Sequence, residues 1–138
     1  MHFGHEMETS ASAGAVWALW LDVARWGEWD LGLASATLDG PMAVGACGTI
    51  IDRAGRRSPF TVTVLEPGRC HEFSTRLPLG ALVVRRTILQ AQPCRFRHDV
   101  RFTGIGGRLL APILGRDFRA KLPPTMAALA ALAEREHP

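Results

Sequence analysis

The sequence predicts an α+β fold, in which a curved antiparallel sheet of seven strands packs around one long C-terminal helix. Residues 94–103 alternate between apolar and polar side chains with a period of two, which is typical of a strand with one buried face. From Gly107 to Leu132 the apolar residues recur in steps of three and four, which is typical of an amphipathic helix. An antiparallel sheet must cover its apolar face, and only this helix is long enough to do so.

The remaining elements follow from local signals. Residues 3–9 form an opening strand, and Ser10 and Ser12 are candidate N-caps for the helix that follows. A second short helix is expected at residues 22–27. Glycine and proline turn signals separate six further strands. These strands are predicted at residues 34–39, 46–52, 58–66, 70–77, 81–90 and 94–103.

Two prolines interrupt the C-terminal amphipathic pattern. Pro123 and Pro124 have no backbone N–H, so the carbonyls of Arg119 and Ala120 lose their helical partners. We therefore expect a kink or a break at this point. Such a kink either belongs to a helix that only covers the sheet or shapes one end of a cavity.

Length and composition indicate a single domain over residues 1–138. No apolar run reaches the roughly 18 residues that a membrane-spanning helix needs. The first residues lack the basic and apolar regions of a signal peptide, and three cysteines without CxxC spacing fit a reducing compartment. These features predict a cytoplasmic protein without membrane insertion, and they leave a homodimer open.

The charge pattern argues against a nucleic-acid partner. The net charge is +3, with one lysine and with arginines scattered among acidic residues. Nucleic-acid binders cluster basic residues on one face and often stack bases on aromatic side chains, and this chain has no tyrosine.

The last hairpin can be aligned from the sequence. Its loop is Ala91–Pro93, and centring it on Gln92 pairs Arg86 with His98, with their Cβ atoms roughly 5 Å apart. The other pairs of the same face are apolar, which favours this register over a slip of one residue. They are Ile88 with Phe96, Val84 with Val100 and Leu82 with Phe102.

The preceding hairpin extends the same inner face. It turns at residues 66–69, and its predicted inward residues are Phe60, Val62, Val64, His71, Phe73, Thr75 and Leu77. A buried guanidinium at Arg86 needs a partner, because it cannot lose its charge. The candidates are water, a backbone carbonyl, the carboxylate of Glu28 or Asp30, or a ligand oxygen. This pattern predicts a cavity with a few polar points between sheet and helix.

The sequence contains no pattern that is typical of a metal site or of a hydrolase. Cys94 and His98 share a face, but they lie roughly 13 Å apart along a strand, too far to bind one ion. There is no GxSxG motif and no evident cysteine–histidine pair. We therefore expect no metal and no cofactor.

Several segments resemble one known family. Residues 16–30, from Val16 to Asp30, resemble the opening helices of the polyketide cyclase/dehydratase-like branch of the SRPBCC superfamily, the START-like helix-grip proteins. Gly45–Ile50, Leu65–Arg69 and Leu122–Met126 resemble its later landmarks in the same order. The resemblance implies a helix-grip fold whose cavity binds hydrophobic small molecules, with cyclisation or dehydration in some members. His71 and the absence of tyrosine depart from the family pattern.

Three hypotheses of function follow. The first is binding of a hydrophobic lipid-, polyketide- or aromatic-like molecule with a carbonyl or acidic group, anchored by Arg86. The second is a cyclase/dehydratase-type enzyme with His98 as base and Arg86 as oxyanion partner. The third is a partner-binding module without catalytic activity. Trp26 and Trp29 either belong to the core or rim the cavity mouth. The candidate ligand-binding residues are Arg86, His98, His71, Phe73, Thr75, Val84, Phe96, Trp26, Trp29 and Phe118.

Overall fold

A seven-stranded antiparallel sheet grips one long helix. The computed structural model describes residues 1–136. The helices are α1 (Ala13–Leu21), α2 (Trp26–Trp29) and α3 (Gly104–Glu136), with a 3-10 turn at Val23–Arg25 between the first two. The strands are β1 (His2–Thr9), β2 (Leu33–Leu38), β3 (Cys47–Asp52), β4 (Arg57–Glu66), β5 (Cys70–Leu77), β6 (Gly80–Gln90) and β7 (Cys94–Thr103). The predicted helix-grip architecture is confirmed.

The sheet order explains how the chain closes. Its strands lie in the order β1-β7-β6-β5-β4-β3-β2, so all neighbours except the β1–β7 pair are consecutive in sequence. Strand β1 pairs with β7, and the two short helices after β1 carry the chain to the opposite edge of the sheet. In place of the single short helix expected at residues 22–27, the chain forms the 3-10 turn and then α2.

The predicted register of the last hairpin is confirmed. Arg86 pairs with His98, and the three apolar pairs of this face occur as expected. Strand β4 differs, because a register shift between Val62 and Val64 changes which residues face the core. Val64 pairs with Glu72, and Leu65 pairs with His71 and packs against the core. The inward position expected for Val64 is therefore wrong.

Helix α3 is longer and more regular than expected. It begins at Gly104 and continues through Pro112, Pro123 and Pro124 without interruption, so the prolines do not break it. A bend at Pro123 and Pro124 stays a prediction. Within residues 1–136, no helix is both long enough and apolar enough to cross a membrane.

The two halves of α3 have different surroundings. The second half is the core helix and buries Leu122, Met126, Leu129, Leu132 and Ala133. The first half buries mainly small residues against the sheet, namely Gly106, Gly107, Ala111 and Gly115. Small residues let the helix backbone approach the sheet closely, whereas Ile105, Leu109 and Ile113 remain exposed.

Gly106 provides a test of this close approach. A Cβ atom added there would overlap the carbonyl oxygen of Pro78, so we expect Gly106→Ala to lower the free energy of unfolding by more than about 2 kcal/mol. Gly14→Ala is the matched control, because its Cβ would have no heavy atom nearer than 3.9 Å and alanine favours helix α1. Urea denaturation of both variants checks this, and equal stabilities would contradict the packing described.

Candidate functional site

Four titratable side chains form one row across the inner face of the sheet. His71, Arg86 and His98 occupy directly paired positions on β5, β6 and β7. The pairing of β1 with β7 places His5 opposite His98 and extends the row. Arg86, His71 and His98 are buried, and His5 is half-buried. The row therefore places one guanidinium between two imidazoles inside the protein.

Aromatic rings enclose the Arg86 guanidinium. Its central carbon lies 4.5 Å from the ring centroid of Trp26, 4.9 Å from that of Trp29 and 5.0 Å from that of Phe73. The electron-rich faces of aromatic rings attract a cation, and this attraction is strongest where water is excluded. Helix α2 supplies both tryptophans, so this one-turn helix covers the charge from the side opposite the sheet.

The negative charge of Asp30 affects the pKa of Arg86. Burial lowers the pKa of Arg86 to about 10, and the negative charge of Asp30 opposes this shift. Burial raises the pKa of Asp30, while Arg86 and the backbone N–H of Gly32 oppose that shift. Arg86 thus stays charged at neutral pH. Of the two carboxylates considered from the sequence, Glu28 instead pairs with Arg25 at the surface, at 2.8 Å.

Several buried polar atoms around Arg86 lack partners. Within residues 1–136, Nε and Nη1 of Arg86, both ring nitrogens of His71, Oγ1 of Thr75 and Nε1 of Trp29 have no hydrogen bond. A buried donor without an acceptor is costly, and the cost is greatest for a charged donor. The inner face of β5 and β6 is therefore a polar region that internal hydrogen bonds do not satisfy.

His98 has a defined partner. Nε1 of Trp20 donates a hydrogen bond of 3.1 Å to Nε2 of His98, which assigns the neutral tautomer with its proton on Nδ1. Burial lowers the pKa of His98 well below its ordinary value, and the positive charge of Arg86 adds to this effect. His98 is therefore a neutral imidazole whose Nε2 lone pair is already engaged.

The structure brings most of the predicted site residues together and separates one. Phe73, Thr75, Val84 and Phe96 lie on the inner face of the sheet in the strands that carry the row. Phe118 lies elsewhere, stacked edge-on against Phe102 with ring centroids 6.2 Å apart.

Of the two positions expected for Trp26 and Trp29, the core and the mouth of a cavity, the structure shows the core. Trp26 and Trp29 are both 0% exposed, so they do not rim an opening but fill the space next to Arg86. Two surface hollows, of about 410 and 360 Å³, are lined by other residues, and neither includes Arg86 or His98. In this conformation, aromatic side chains occupy the region where the sequence predicted a cavity.

Sequence reasoning missed two residues of the site. His5 is not among the predicted site residues, although its place in the opening strand has the inward parity that brings it opposite His98. Trp20 is not among the predicted site residues either, because its contact with His98 depends on a tertiary approach of α1 to β7 that no spacing reveals. Within the described residues, no three His, Cys, Asp or Glu side chains are grouped so that they could hold a metal ion.

Comparison with known families assigns the class of the protein. The family model described as "Polyketide cyclase / dehydrase and lipid transport" matches residues 2–134. The chain therefore belongs to this family, a group of START-like helix-grip proteins within the SRPBCC superfamily. A search of curated proteins finds no relative by sequence.

Solved structures share the fold at low sequence identity. Protein MLL2253 from Mesorhizobium loti superimposes with a TM-score of 0.78 at 18% identity, covering 98% of each chain. Norcoclaurine synthase from Thalictrum flavum, in complex with dopamine and hydroxybenzaldehyde, has a TM-score of 0.74 at 12% identity, covering 100% of this chain and 88% of the synthase. The di-domain ARO/CYC protein StfQ of the steffimycin biosynthetic pathway has a TM-score of 0.72 at 14% identity, covering 98% of this chain and 51% of StfQ.

The buried histidines predict a pH dependence of stability. Burial, aided by Arg86, lowers the pKa of His71 to about 3, whereas in the unfolded chain it returns to about 6.5. Below pH 6.5 the unfolded chain binds protons that the folded protein does not, so the free energy of unfolding falls as pH falls. The loss is about 1.4 kcal/mol per pH unit for each such histidine, and for His71 it continues to about pH 3.

His71→Phe should reduce this dependence, because phenylalanine cannot be protonated. We expect the loss of stability between pH 7 and pH 5 to be smaller by about 2 kcal/mol in this variant, measured by urea denaturation. His2→Gln, which removes an exposed histidine, is the control. An unchanged pH profile in His71→Phe would mean that His71 is not buried as described.

Proposed function

We propose that the protein binds a hydrophobic small molecule bearing a carbonyl or acidic group, with Arg86 as its polar anchor. The observation that carries this proposal is the buried guanidinium with two unpartnered nitrogens, Nε and Nη1. A carbonyl or carboxylate oxygen of a ligand would accept hydrogen bonds from these donors. Hydrogen bonds to charged donors are stronger than neutral ones, so the anchor would be effective.

The surroundings of the anchor favour an aromatic or otherwise flat apolar ligand body. Trp26, Trp29 and Phe73 already stack around the guanidinium, and rings stack readily on rings. The family includes polyketide cyclases and lipid carriers, which supports a hydrophobic ligand class. The other candidate contacts are His98, His71, Thr75, Val84 and Phe96, with Phe118 as a more distant candidate.

Binding at Arg86 requires the aromatic cover to move. The 3-10 turn and α2 together span only residues 23–29, and neither has a side-chain N-cap. At the surface, Arg25 joins this segment to α3 by an ion pair to Glu136 and pairs with Glu28 within the segment. The buried rings of Trp26 and Trp29 also hold it, and this short segment carries both rings that cover Arg86 opposite the sheet. We therefore assign ligand entry to its displacement.

A cyclase/dehydratase-type enzyme is the second candidate. A neutral His98 next to the fixed charge of Arg86 is suited to removing a proton from carbon next to a carbonyl, while the guanidinium stabilises the oxyanion. The hydrogen bond from Trp20 occupies the Nε2 lone pair that a base would use. Catalysis would therefore require Trp20 to release His98, whereas anchoring by Arg86 does not.

We place this activity in a single cytoplasmic domain that requires no metal or cofactor. Native mass spectrometry of gently purified protein, followed by extraction of any bound compound, would identify the ligand class. A panel of aromatic carboxylic acids and aromatic ketones should contain compounds that raise the melting temperature. The binding proposal is wrong if nothing co-purifies and no compound of the panel raises it.

Arg86→Met tests the anchor. We expect the affinity for such a ligand to fall at least about tenfold, because a charge-assisted hydrogen bond is lost. The free energy of unfolding should stay equal or rise, because methionine removes a buried charge whose Nε and Nη1 have no hydrogen-bond acceptor. Isothermal titration calorimetry and urea denaturation measure the two effects.

Arg85→Met is the matched control for this variant. Arg85 is the adjacent residue of β6, faces outward and pairs with Glu72 at 3.1 Å. It carries the same charge on the opposite face, so its loss should leave ligand affinity unchanged. Equal affinities of Arg86→Met and the unaltered protein would remove Arg86 from the binding site.

His98→Gln separates the two candidate functions. The glutamine amide oxygen can still accept a hydrogen bond from Trp20, so binding should stay within about twofold of the unaltered protein. An enzyme would retain binding and lose turnover, which incubation with a linear poly-β-ketone substrate and chromatography of the products would show. Turnover that is independent of His98 would exclude it as the base.

A further inference from the structure

The first half of α3 exposes apolar side chains in a regular row. Ile105, Leu109 and Ile113 follow one another at four-residue steps and are 67%, 71% and 71% exposed. This spacing places them along one face of the helix. The opposite face of the same half packs on the sheet through small residues, so the row points away from the body of the protein.

The tip of the β5–β6 hairpin extends this row. Leu79 is 82% exposed, and its carbonyl accepts a hydrogen bond of 3.1 Å from the backbone N–H of Gly106, which fixes the tip against the start of α3. Leu79 has φ of 57°, a left-handed conformation that is unfavourable for leucine. Exposure of an apolar side chain and a left-handed backbone conformation both raise the free energy of the folded state. Such backbone outliers often mark functional sites. We name Leu79, Ile105, Leu109 and Ile113 the apolar ridge.

Positive charges flank the apolar ridge. Arg108, Arg116 and Arg119 are exposed on the same half of α3, and Asp117 forms an ion pair with Lys121 at 3.0 Å. In the described part of the chain, Arg108 and Arg116 form no ion pair. Arg116 and Arg119 also line the hollow of about 410 Å³ beside this half of the helix. The face therefore combines an apolar row with uncompensated arginines.

We propose that this face docks the protein onto the surface of an anionic phospholipid bilayer, with the apolar ridge entering the interface and the arginines contacting phosphate groups. Exposed apolar rows bordered by basic residues are the pattern of helices that lie on a membrane without crossing it. A second copy of the chain fits less well, because a symmetric contact would bring the arginines of both copies together. The proposal stands independently of the ligand and of any reaction.

Vesicle co-sedimentation tests this docking. We expect the protein to sediment with phosphatidylcholine vesicles that contain phosphatidylglycerol, and much less with pure phosphatidylcholine. Raising the salt concentration from about 0.1 M to about 1 M should release the protein, because the Debye length falls from about 10 Å to about 3 Å. Absence of binding to the anionic vesicles would overturn the proposal.

Variants of the ridge and of its arginines make the test specific. The double variant Leu109→Ser and Ile113→Ser should lose at least about tenfold in vesicle affinity. Arg108→Gln and Arg116→Gln should each lose about fivefold. Leu79→Gly should also weaken binding, while glycine relieves the left-handed strain and keeps the fold intact. Circular dichroism verifies that each variant is folded.

Matched controls lie off this face. Val44→Ser removes a side chain that is 63% exposed in the connection between β2 and β3, and Arg57→Gln removes an exposed arginine of β4. Neither should change vesicle binding, and an equal loss in the controls would overturn the proposal. Analytical ultracentrifugation without lipid is the second measurement. Self-association that the Leu109 and Ile113 substitutions abolish would assign the ridge to a second copy and would also overturn it.

Discussion

A permanent positive charge buried among aromatic rings constrains the interior of this protein. Arginine cannot escape burial by losing its proton at neutral pH, so the protein must stabilise Arg86 by other means. It does so with the faces of Trp26, Trp29 and Phe73 and with the longer-range charge of Asp30. Burial lowers the pKa of both flanking histidines, and the charge of Arg86 adds to this effect. Arg86 is thus the one charged side chain among the three buried members of the row at neutral pH.

The aromatic cover and the sheet have separate roles in this arrangement. Strands β5, β6 and β7 hold the backbone of the polar row through regular antiparallel pairing. The chain between β1 and β2 supplies the rings that exclude water, because α1 carries Trp20 and α2 carries Trp26 and Trp29. A hydrogen-bonded ladder on one side and a short helical segment with two buried tryptophans on the other thus enclose the charge of Arg86.

The sequence predicted the sheet well because alternation and turn signals carry most of the information about strands. The pairing of Arg86 with His98 followed from the position of the loop at Ala91–Pro93 and from the alternation of inward and outward residues in the two strands. The shift after Val62 was not predictable, because one extra residue in β4 leaves the apolar alternation almost unchanged. For Trp26 and Trp29 the sequence left open whether they are buried in the core or lie at a cavity mouth. Periodicity tells which face a residue takes, whereas burial depends on what packs above that face.

The polar row lies on strands that are joined by main-chain hydrogen bonds, and those bonds do not depend on the side chains between them. The main-chain pairing of these strands therefore does not itself require His5, His71, Arg86 or His98. The charge and polarity of the row are thus set separately from the pairing of the strands beneath it. Solved structures that share this fold at 18%, 12% and 14% sequence identity fit a backbone arrangement of this kind.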